Sequence, residues 1–150
     1  MTGAGISVSA GIADFRSPKV GIYARAEALS GVKLPYPEAL FDRNFFIKHP
    51  QVYYKYRKER FKDPDWNMKI YPTKTHYFIK LLIQQNVVHK VFTQNTDDLF
   101  FLSGIDEHMV VHAHGTGWYA SCAVCGAKSD IKELNANLRK GEVLYCKKCT

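Results

Sequence analysis

The four cysteines of the chain constrain its fold more than any other feature. They form two C-x-x-C pairs, Cys122/Cys125 and Cys146/Cys149, with twenty residues between them. Two thiolates at this spacing hold one edge of a tetrahedral zinc ion, and a second pair completes the site. Four protein ligands leave no position for water or substrate, so the pattern predicts a structural zinc ion that takes no part in catalysis.

The cysteine pattern also bears on the compartment. Paired cysteines at metal spacing are typical of reducing compartments, whereas disulfides persist in oxidising ones. The sequence opens with no signal-peptide pattern and contains no apolar run of membrane-spanning length. We therefore expect an intracellular protein of the cytoplasm, the nucleus or both, with no membrane partner.

A glycine-rich segment begins at Gly3 and reads Gly-Ala-Gly-Ile-Ser. Gly3 and Gly5 allow a tight turn and the close approach of a pyrophosphate, and residues 6–10 would begin a helix whose amides face the anion. Ser7 stands where the usual dinucleotide fingerprint has its third glycine. An ordinary glycine turn is therefore an equally good interpretation of the segment taken alone.

Polar residues follow two β-like runs in the second half of the chain. The run at residues 87–92 leads into Gln94, Asn95 and Asp97, and the run at residues 110–114 ends in His114. Buried parallel strands deliver such side chains to the carboxyl edge of a sheet, where open α/β folds bind ligands. The pattern predicts an α/β fold with a site at that edge.

The chemistry of these side chains admits two interpretations. Amide and carboxylate groups can bind a ribose or a carboxamide, and a histidine at a strand end suits a general base because imidazole titrates near neutral pH. In the second interpretation Asn95 or Asp97 caps a short helix that starts near Asp98, and capping does not exclude ligand binding. His112 and His114 are expected to share one face of a strand, with His112 a hydrogen-bonded bystander.

The positive charge of the chain is concentrated in one predicted helix. The net charge is +7, and a helix starting at Pro50 would place Val52 and Tyr56 on one face. Its basic residues are Lys55, Arg57, Lys58, Arg60 and Lys62. A solvated helix surface is our preferred interpretation, and direct nucleic-acid binding is the less favoured one. A further helix is predicted after Thr73, its N-cap.

Taken in order, these motifs resemble the sirtuin family of NAD-dependent protein lysine deacylases, in particular its eukaryotic deacetylase branch. The resemblance covers essentially the whole sequence. It is carried by Gly3-Ala4-Gly5-Ile6-Ser7, Gly11-Ile12-Ala13-Asp14-Phe15-Arg16-Ser17-Pro18, Thr93-Gln94-Asn95-Thr96-Asp97, His114-Gly115-Thr116 and both cysteine pairs. Ala13, Thr96 and His112 depart from the residues usual in that family.

The resemblance implies a partial Rossmann-like parallel sheet combined with a smaller helical and zinc-ribbon module. It assigns residues 1–23 and 75–117 to the NAD-binding part, residues 24–74 to a helical insertion and residues 118–150 to the ribbon. It implies two cofactors, NAD and a structural zinc ion.

The resemblance also implies the roles of individual residues. His114 would be the general base and Asn95 a second catalytic residue. The implied NAD-binding residues are Gly3, Ala4, Gly5, Ser7, Asp14, Phe15, Arg16, Tyr23, Gln94, Asn95, Asp97 and His114. The zinc ligands would be Cys122, Cys125, Cys146 and Cys149, remote from the chemistry.

The implied reaction removes an acyl group, such as acetyl, from a protein lysine. The acyl oxygen attacks the anomeric carbon of the nicotinamide ribose, nicotinamide leaves, and the products are free lysine and O-acyl-ADP-ribose. The implied partner is an acylated-lysine protein or peptide of the histone or tubulin type. A zinc-ribbon module that binds nucleic acid, and a sirtuin-like ADP-ribosyltransferase or non-catalytic scaffold, are the alternatives.

We also expect the sequence to be an incomplete fragment of such an enzyme. The glycine loop has no strand before it, and one residue follows the last cysteine. Missing strands would leave an open sheet edge and exposed apolar faces. We therefore expect these residues to be poorly stable and inactive alone.

Overall fold

The computed structural model describes residues 1–19, 21–62 and 70–149. The chain divides into two compact units: unit 1 is Met1–Phe15 with Lys69–Gly117, and unit 2 is Arg16–Met68 with Trp118–Thr150. The elements are helices α1 (Ile22–Ser30), α2 (Arg43–Lys48), α3 (Pro50–Lys62), α4 (Lys74–Gln84), α5 (Leu99–Leu102) and α6 (Ile131–Lys140), and strands β1 (Val91–Thr93) and β2 (Val110–His112). None of the helices in the described ranges combines the length and the apolar character that a membrane span requires.

Unit 1 is built on a small parallel sheet. Strands β1 and β2 pair in parallel, with Thr93 opposite His112, and Thr2 forms a parallel bridge to Thr93 on the other side. Residues that follow these positions therefore emerge together at the carboxyl edge. The core of unit 1 consists of Val91, Phe100 and Ile105, packed by Ile6, Ile79, Ile83, Val88, Met109 and Val110. The predicted α/β class with a parallel sheet is confirmed.

Helix α4 begins where the sequence predicts. Thr73 is its N-cap and forms a capping box with His76, whose Nδ1 accepts from the Thr73 amide at 3.2 Å. The ring of His76 is fully buried and lies 4.9 Å from the ring of Phe100. A buried histidine thus takes the place that Glu or Gln usually occupies in such a box.

Both predicted strands are shorter in the structure than in the sequence pattern. The first begins at Val91, because Asn86 adopts φ +58° and the amides of Val87 and Val88 donate to the carbonyl of Leu82, which closes the end of α4. The predicted strand over residues 87–92 is therefore wrong for its first four residues.

The second strand ends earlier than expected. Strand β2 stops at His112, and the Gly115 amide donates to the His112 carbonyl at 3.2 Å, which places His114 in a turn. The expectation that His112 and His114 share one strand face is wrong.

The segment after the glycines is also less regular than expected. In place of one helix over residues 6–10, the chain forms two short 3-10 turns, Ala4–Ile6 and Val8–Ala10. Ser7 lies between them, and Gly11 ends the second turn with φ +89°. The interruption falls at the one residue of this segment whose side chain is fully buried.

Unit 2 consists of helices that pack around α3. Helix α3 starts at Pro50 as predicted and contacts both α1 and α6. Val52 and Tyr56 are both buried, which confirms their predicted common face. No apolar period in the sequence predicts helix α1, because only one of its three buried residues, Ile22, has a large apolar side chain.

Candidate functional site

Three side chains from separate parts of the sequence form a hydrogen-bonded network in unit 1. The hydroxyl of Ser7 donates to Oδ2 of Asp97 at 2.5 Å. The Nδ2 group of Asn95 donates to Oγ of Ser7 at 3.1 Å and to the carbonyl of Gly3 at 3.0 Å. Ser7 is fully buried and Asn95 nearly so. The network therefore joins the glycine loop to the carboxyl end of β1.

Two hydrogen bonds between side chains and backbone amides fix the chain that follows β1, which carries Asn95 and Asp97. The buried hydroxyl of Thr93 accepts from the Asn95 amide at 3.0 Å, which turns the chain as the strand ends. Oδ1 of Asp97 accepts from the Leu99 amide at 3.1 Å at the start of α5. Asp97 thus binds the first helical amide of α5 from the position before the N-cap, Asp98, and the same carboxylate also binds Ser7.

The glycine loop leaves open space on its surface. A Cβ atom added at Gly3 or Gly5 would meet nothing within 4 Å among the described residues. Packing inside unit 1 therefore does not require glycine at either position. Glycines with open space beside them, at the carboxyl edge of a parallel sheet, suit the close approach of a nucleotide pyrophosphate.

The N-cap of helix α4 contacts the glycine loop through a hydrogen bond. The hydroxyl of Thr73 donates to the carbonyl of Ile6 at 3.0 Å and also lies 2.8 Å from Nδ1 of His76. Burial lowers the pKa of His76 from its ordinary value of 6.5, against the opposing charge of Asp97. A neutral imidazole is the form whose Nδ1 can accept from the Thr73 amide.

Gln94 and His114 differ from the network residues in their exposure. Both side chains are exposed, whereas Asn95 is buried and Asp97 is half-buried. Gln94 directly follows β1, and its amide donates to the Thr2 carbonyl at 3.1 Å. The predicted site residues of unit 1 therefore separate into a buried supporting set and an exposed set that a ligand can reach.

The remaining predicted NAD-binding residues lie around the boundary between the units in the sequence. Asp14 and Phe15 belong to unit 1 and are half-buried. Arg16 and Tyr23 belong to unit 2, where the guanidinium carbon of Arg16 lies 6.0 Å from the centre of the Tyr23 ring. Burial raises the pKa of Tyr23, although Arg16 opposes the shift.

The four cysteine sulfurs converge in unit 2. All four lie within 4.8 Å of one another, with Cys122 Sγ to Cys149 Sγ at 3.6 Å and Cys125 Sγ to Cys146 Sγ at 3.7 Å. A tetrahedral zinc ion with bonds of about 2.3 Å requires sulfur–sulfur edges of about 3.8 Å. A disulfide would require about 2.05 Å. The geometry fits a four-thiolate zinc site.

Backbone amides donate hydrogen bonds to two of the same sulfurs, which favours their thiolate form. The amide of Val124 donates to Cys122 Sγ at 3.4 Å, and the amide of Lys148 donates to Cys146 Sγ at 3.3 Å, so the two pairs form matching turns. Hydrogen bonds from the amides of Cys125 and Val124 lower the pKa of Cys122 to about 6. Neighbouring thiols, Cys125 first, raise the pKa of Cys149 to about 12. A bound zinc ion would take these sulfurs as thiolates.

The arginines of α3 are engaged with aromatic rings. Arg57 lies 5.3 Å from the ring centre of Phe61, and Arg60 donates to the Tyr56 hydroxyl at 2.8 Å. Arg139 of α6 lies 4.6 Å from the Phe61 ring. These guanidinium groups pack within unit 2. The predicted solvated surface therefore applies to the exposed basic residues of α3, Lys55 and Lys62.

The sequence pattern missed two supporting residues of unit 1. His76 is not among the predicted site residues, although the spacing from Thr73 to His76 is that of a capping box. Asp98 was considered only as a helix start. It adopts φ +58° and its Oδ1 accepts from the Thr116 hydroxyl at 2.8 Å. No sequence signal distinguishes this pairing from ordinary capping.

Together, the parallel sheet with its glycine loop and the cluster of four cysteines define an α/β protein with a candidate structural metal site. A family profile described as the Sir2 family matches residues 3–150. The chain belongs to the Sir2 family.

Curated relatives match nearly the whole chain. It is 38% identical to the NAD-dependent protein deacetylase hst2 of Schizosaccharomyces pombe, over 99% of this chain and 42% of that protein. It is 42% identical to the NAD-dependent deacetylase sir2A of Dictyostelium discoideum, over 97% of this chain and 27% of that protein. It is 37% identical to the NAD-dependent protein deacetylase sirtuin-3 of Mus musculus, over 100% of this chain and 42% of that protein. The chain thus spans less than half the length of these relatives.

Proposed function

We propose that this chain supplies the nicotinamide-ribose side of an NAD-dependent protein-lysine deacetylase. The observation that carries the proposal is the Ser7–Asn95–Asp97 network. It ties a glycine loop to the carboxyl edge of a parallel sheet in a chain of the Sir2 family. The relatives named above as NAD-dependent deacetylases support the same activity.

NAD would lie along the glycine loop. The open space beside Gly3 and Gly5 fits a pyrophosphate, and Ala4 and the network residue Ser7 complete the loop. The further proposed NAD contacts are Asp14, Phe15, Arg16, Tyr23, Gln94, Asn95 and Asp97. NAD supplies the ribose carbon that accepts the acyl oxygen and the nicotinamide that leaves.

His114 would act as the general base. Its exposed position after β2, at the edge that carries Gln94 and Asn95, allows it to take a proton from a ribose hydroxyl. Asn95, held by Gly3 and Ser7, would orient the ribose in the correct position for this transfer. In this proposal the buried side chains hold the ribose in position, and the exposed His114 carries out the proton transfer.

The domain assignment follows the same proposal. Residues 1–23 and 75–117 would form the Rossmann-like part, residues 24–74 the helical insertion, and residues 118–150 the zinc ribbon. A zinc ion on the four cysteines would hold the ribbon and would leave the chemistry to unit 1.

The substrate would be an acylated lysine in a protein of the histone or tubulin type, inside the cell. Two C-x-x-C pairs that remain reduced are consistent with the cytoplasm or the nucleus.

Nicotinamide release tests the proposal directly. The chain, alone and within a longer family member, is incubated with NAD, with and without an acetylated histone or tubulin peptide. We expect peptide-dependent release of nicotinamide in the longer protein, and a loss of about 100-fold or more in His114→Ala, as is typical when a general base is removed. His108→Ala, a second exposed histidine of unit 1, is the matched control.

Release that is equal without the peptide would instead indicate glycohydrolase or ADP-ribosyl transfer. Release that is unaffected by His114→Ala would refute the assigned base.

A further inference from the structure

The turn that carries His114 is held at two points. Across the turn, the Gly115 amide donates to the carbonyl of His112, the last residue of β2, at 3.2 Å. After it, the hydroxyl of Thr116 donates to Oδ1 of Asp98 at 2.8 Å. A Cβ atom added at Gly117 would meet Oδ2 of Asp98 at 3.3 Å. Both carboxylate oxygens of Asp98 thus lie against the segment just after His114.

Asp98 occupies a position where its backbone is strained. Its φ of +58° lies in the left-handed region, which is unfavourable for a residue with a Cβ atom, although aspartate adopts it more readily than most. Such strain persists only where surrounding contacts require it, and it concentrates at functional sites.

Capping does not account for the strain. Asp98 stands at the N-cap of α5, where an aspartate ordinarily has extended backbone and binds the first amides of its helix. Here Oδ1 of Asp97 takes the Leu99 amide instead. The carboxylate of Asp98 is directed to Thr116.

We propose that Asp98 is a positioning residue that fixes the His114 turn through Thr116. This inference rests on the proposed function for its catalytic consequence, and on the structure alone for its effect on the turn. With one end of the turn bound to β2 and the other to the start of α5, the base is held relative to Asn95 and Asp97. A general base must stay within hydrogen-bond reach of its proton, and a displacement of about 1 Å can cost on the order of 100-fold in rate.

Two substitutions at Asp98 separate the side chain from the backbone strain. Asp98→Gly removes the carboxylate and also relieves the strain, since glycine adopts positive φ freely. Asp98→Asn keeps an acceptor oxygen and tolerates the same φ. Asn86→Gly is the matched control, because Asn86 has the same φ of +58° and is exposed in the same unit.

The first readout is amide hydrogen exchange at residues 114–117 in the 150-residue chain. We expect Asp98→Gly to accelerate exchange there by about tenfold or more, the size that loss of one charge-assisted hydrogen bond gives. Asp98→Asn is expected to stay within a few-fold of the wild type. Asn86→Gly should leave these amides unchanged.

Thr116→Val removes the other partner of the bond. It should accelerate exchange as much as Asp98→Gly does, and the double variant should add little further, because both substitutions delete one interaction. This variant decides the question if Asp98→Gly fails to fold. Equal exchange in wild type, Asp98→Gly and Thr116→Val would overturn the proposal.

The second readout is the split between kcat and KM in the longer enzyme that shows deacetylation. We expect Asp98→Gly to lower kcat by about 10–100-fold with little change in the KM for NAD, and Asp98→Asn to restore most of kcat. A rise in KM alone would contradict a role in positioning the base. If no NAD chemistry is found, the proposed function fails, whereas hydrogen exchange still decides whether Asp98 holds the turn.

Discussion

Ser7→Ala is the substitution that most directly tests the buried network of unit 1. It removes one hydroxyl from a fully buried residue. That hydroxyl donates to the Asp97 carboxylate at 2.5 Å and accepts from Asn95 at 3.1 Å. The change creates almost no cavity, so the loss of stability comes from the hydrogen bonds.

The magnitude follows from these two bonds. A hydrogen bond to a charged group contributes about 1.5–3 kcal/mol and one between neutral groups about 0.5–1.5 kcal/mol, so Ser7→Ala should destabilise unit 1 by about 2–4.5 kcal/mol. For a chain of this length each kcal/mol lowers Tm by about 2–4 °C, which gives a fall of roughly 4–18 °C.

The assay must report on unit 1 by itself, because the chain has two compact units and need not unfold in one step. Thermal melting followed by far-UV circular dichroism gives the overall shift, and amide hydrogen exchange at β1 and α4 assigns the loss to unit 1. Ser9→Ala is the control, because Ser9 is exposed in the neighbouring 3-10 turn. If Ser7→Ala costs no more than Ser9→Ala, the hydroxyl contributes no net stability and the network does not hold the loop.

Two further predictions concern the metal site and His76. Metal analysis should find one zinc ion per chain. Cys146→Ser should weaken zinc binding by more than the roughly 10–100-fold that loss of an outer partner costs, with Lys148→Ala as the control; unchanged zinc content would contradict the four-thiolate site. His76 has a pKa lowered by burial, so the unfolded chain binds the extra proton first. Stability should be complete above its ordinary pKa of 6.5 and fall as the pH drops through that value towards the lowered pKa. His76→Asn should flatten this slope in Tm measured between about pH 5 and pH 8, and an unchanged slope would assign it to another group.

Features set by local chemistry could be read from the sequence. Pro50 begins α3 and Thr73 caps α4, because proline at a first helical position and a capping hydroxyl act on their own neighbours. The cysteine pairs predicted a cluster of four metal-binding sulfurs, since the C-x-x-C spacing in tight turns determines how the sulfurs converge.

Features that depend on tertiary contacts could not be read in the same way. The apolar run at residues 87–92 has the composition of one strand, yet its first half closes α4 through the Leu82 carbonyl. The glycine loop is interrupted at Ser7 by partners that lie 88 and 90 residues away, Asn95 and Asp97. Sequence periodicity reports on the local backbone and carries no information about such partners.

The structure sharpens what each candidate site residue can do. Asp97 was a candidate for either capping or ligand binding, but its two oxygens already accept from Ser7 and from the Leu99 amide. A ligand that approached Asp97 would have to use the acceptor capacity that these two bonds leave on a half-buried carboxylate. Gln94 and His114 carry no such requirement, because their side chains are exposed at the same sheet edge. In the proposed site, direct contact with a ligand therefore falls first to the exposed pair, whereas Asp97 also holds the glycine loop against the end of β1.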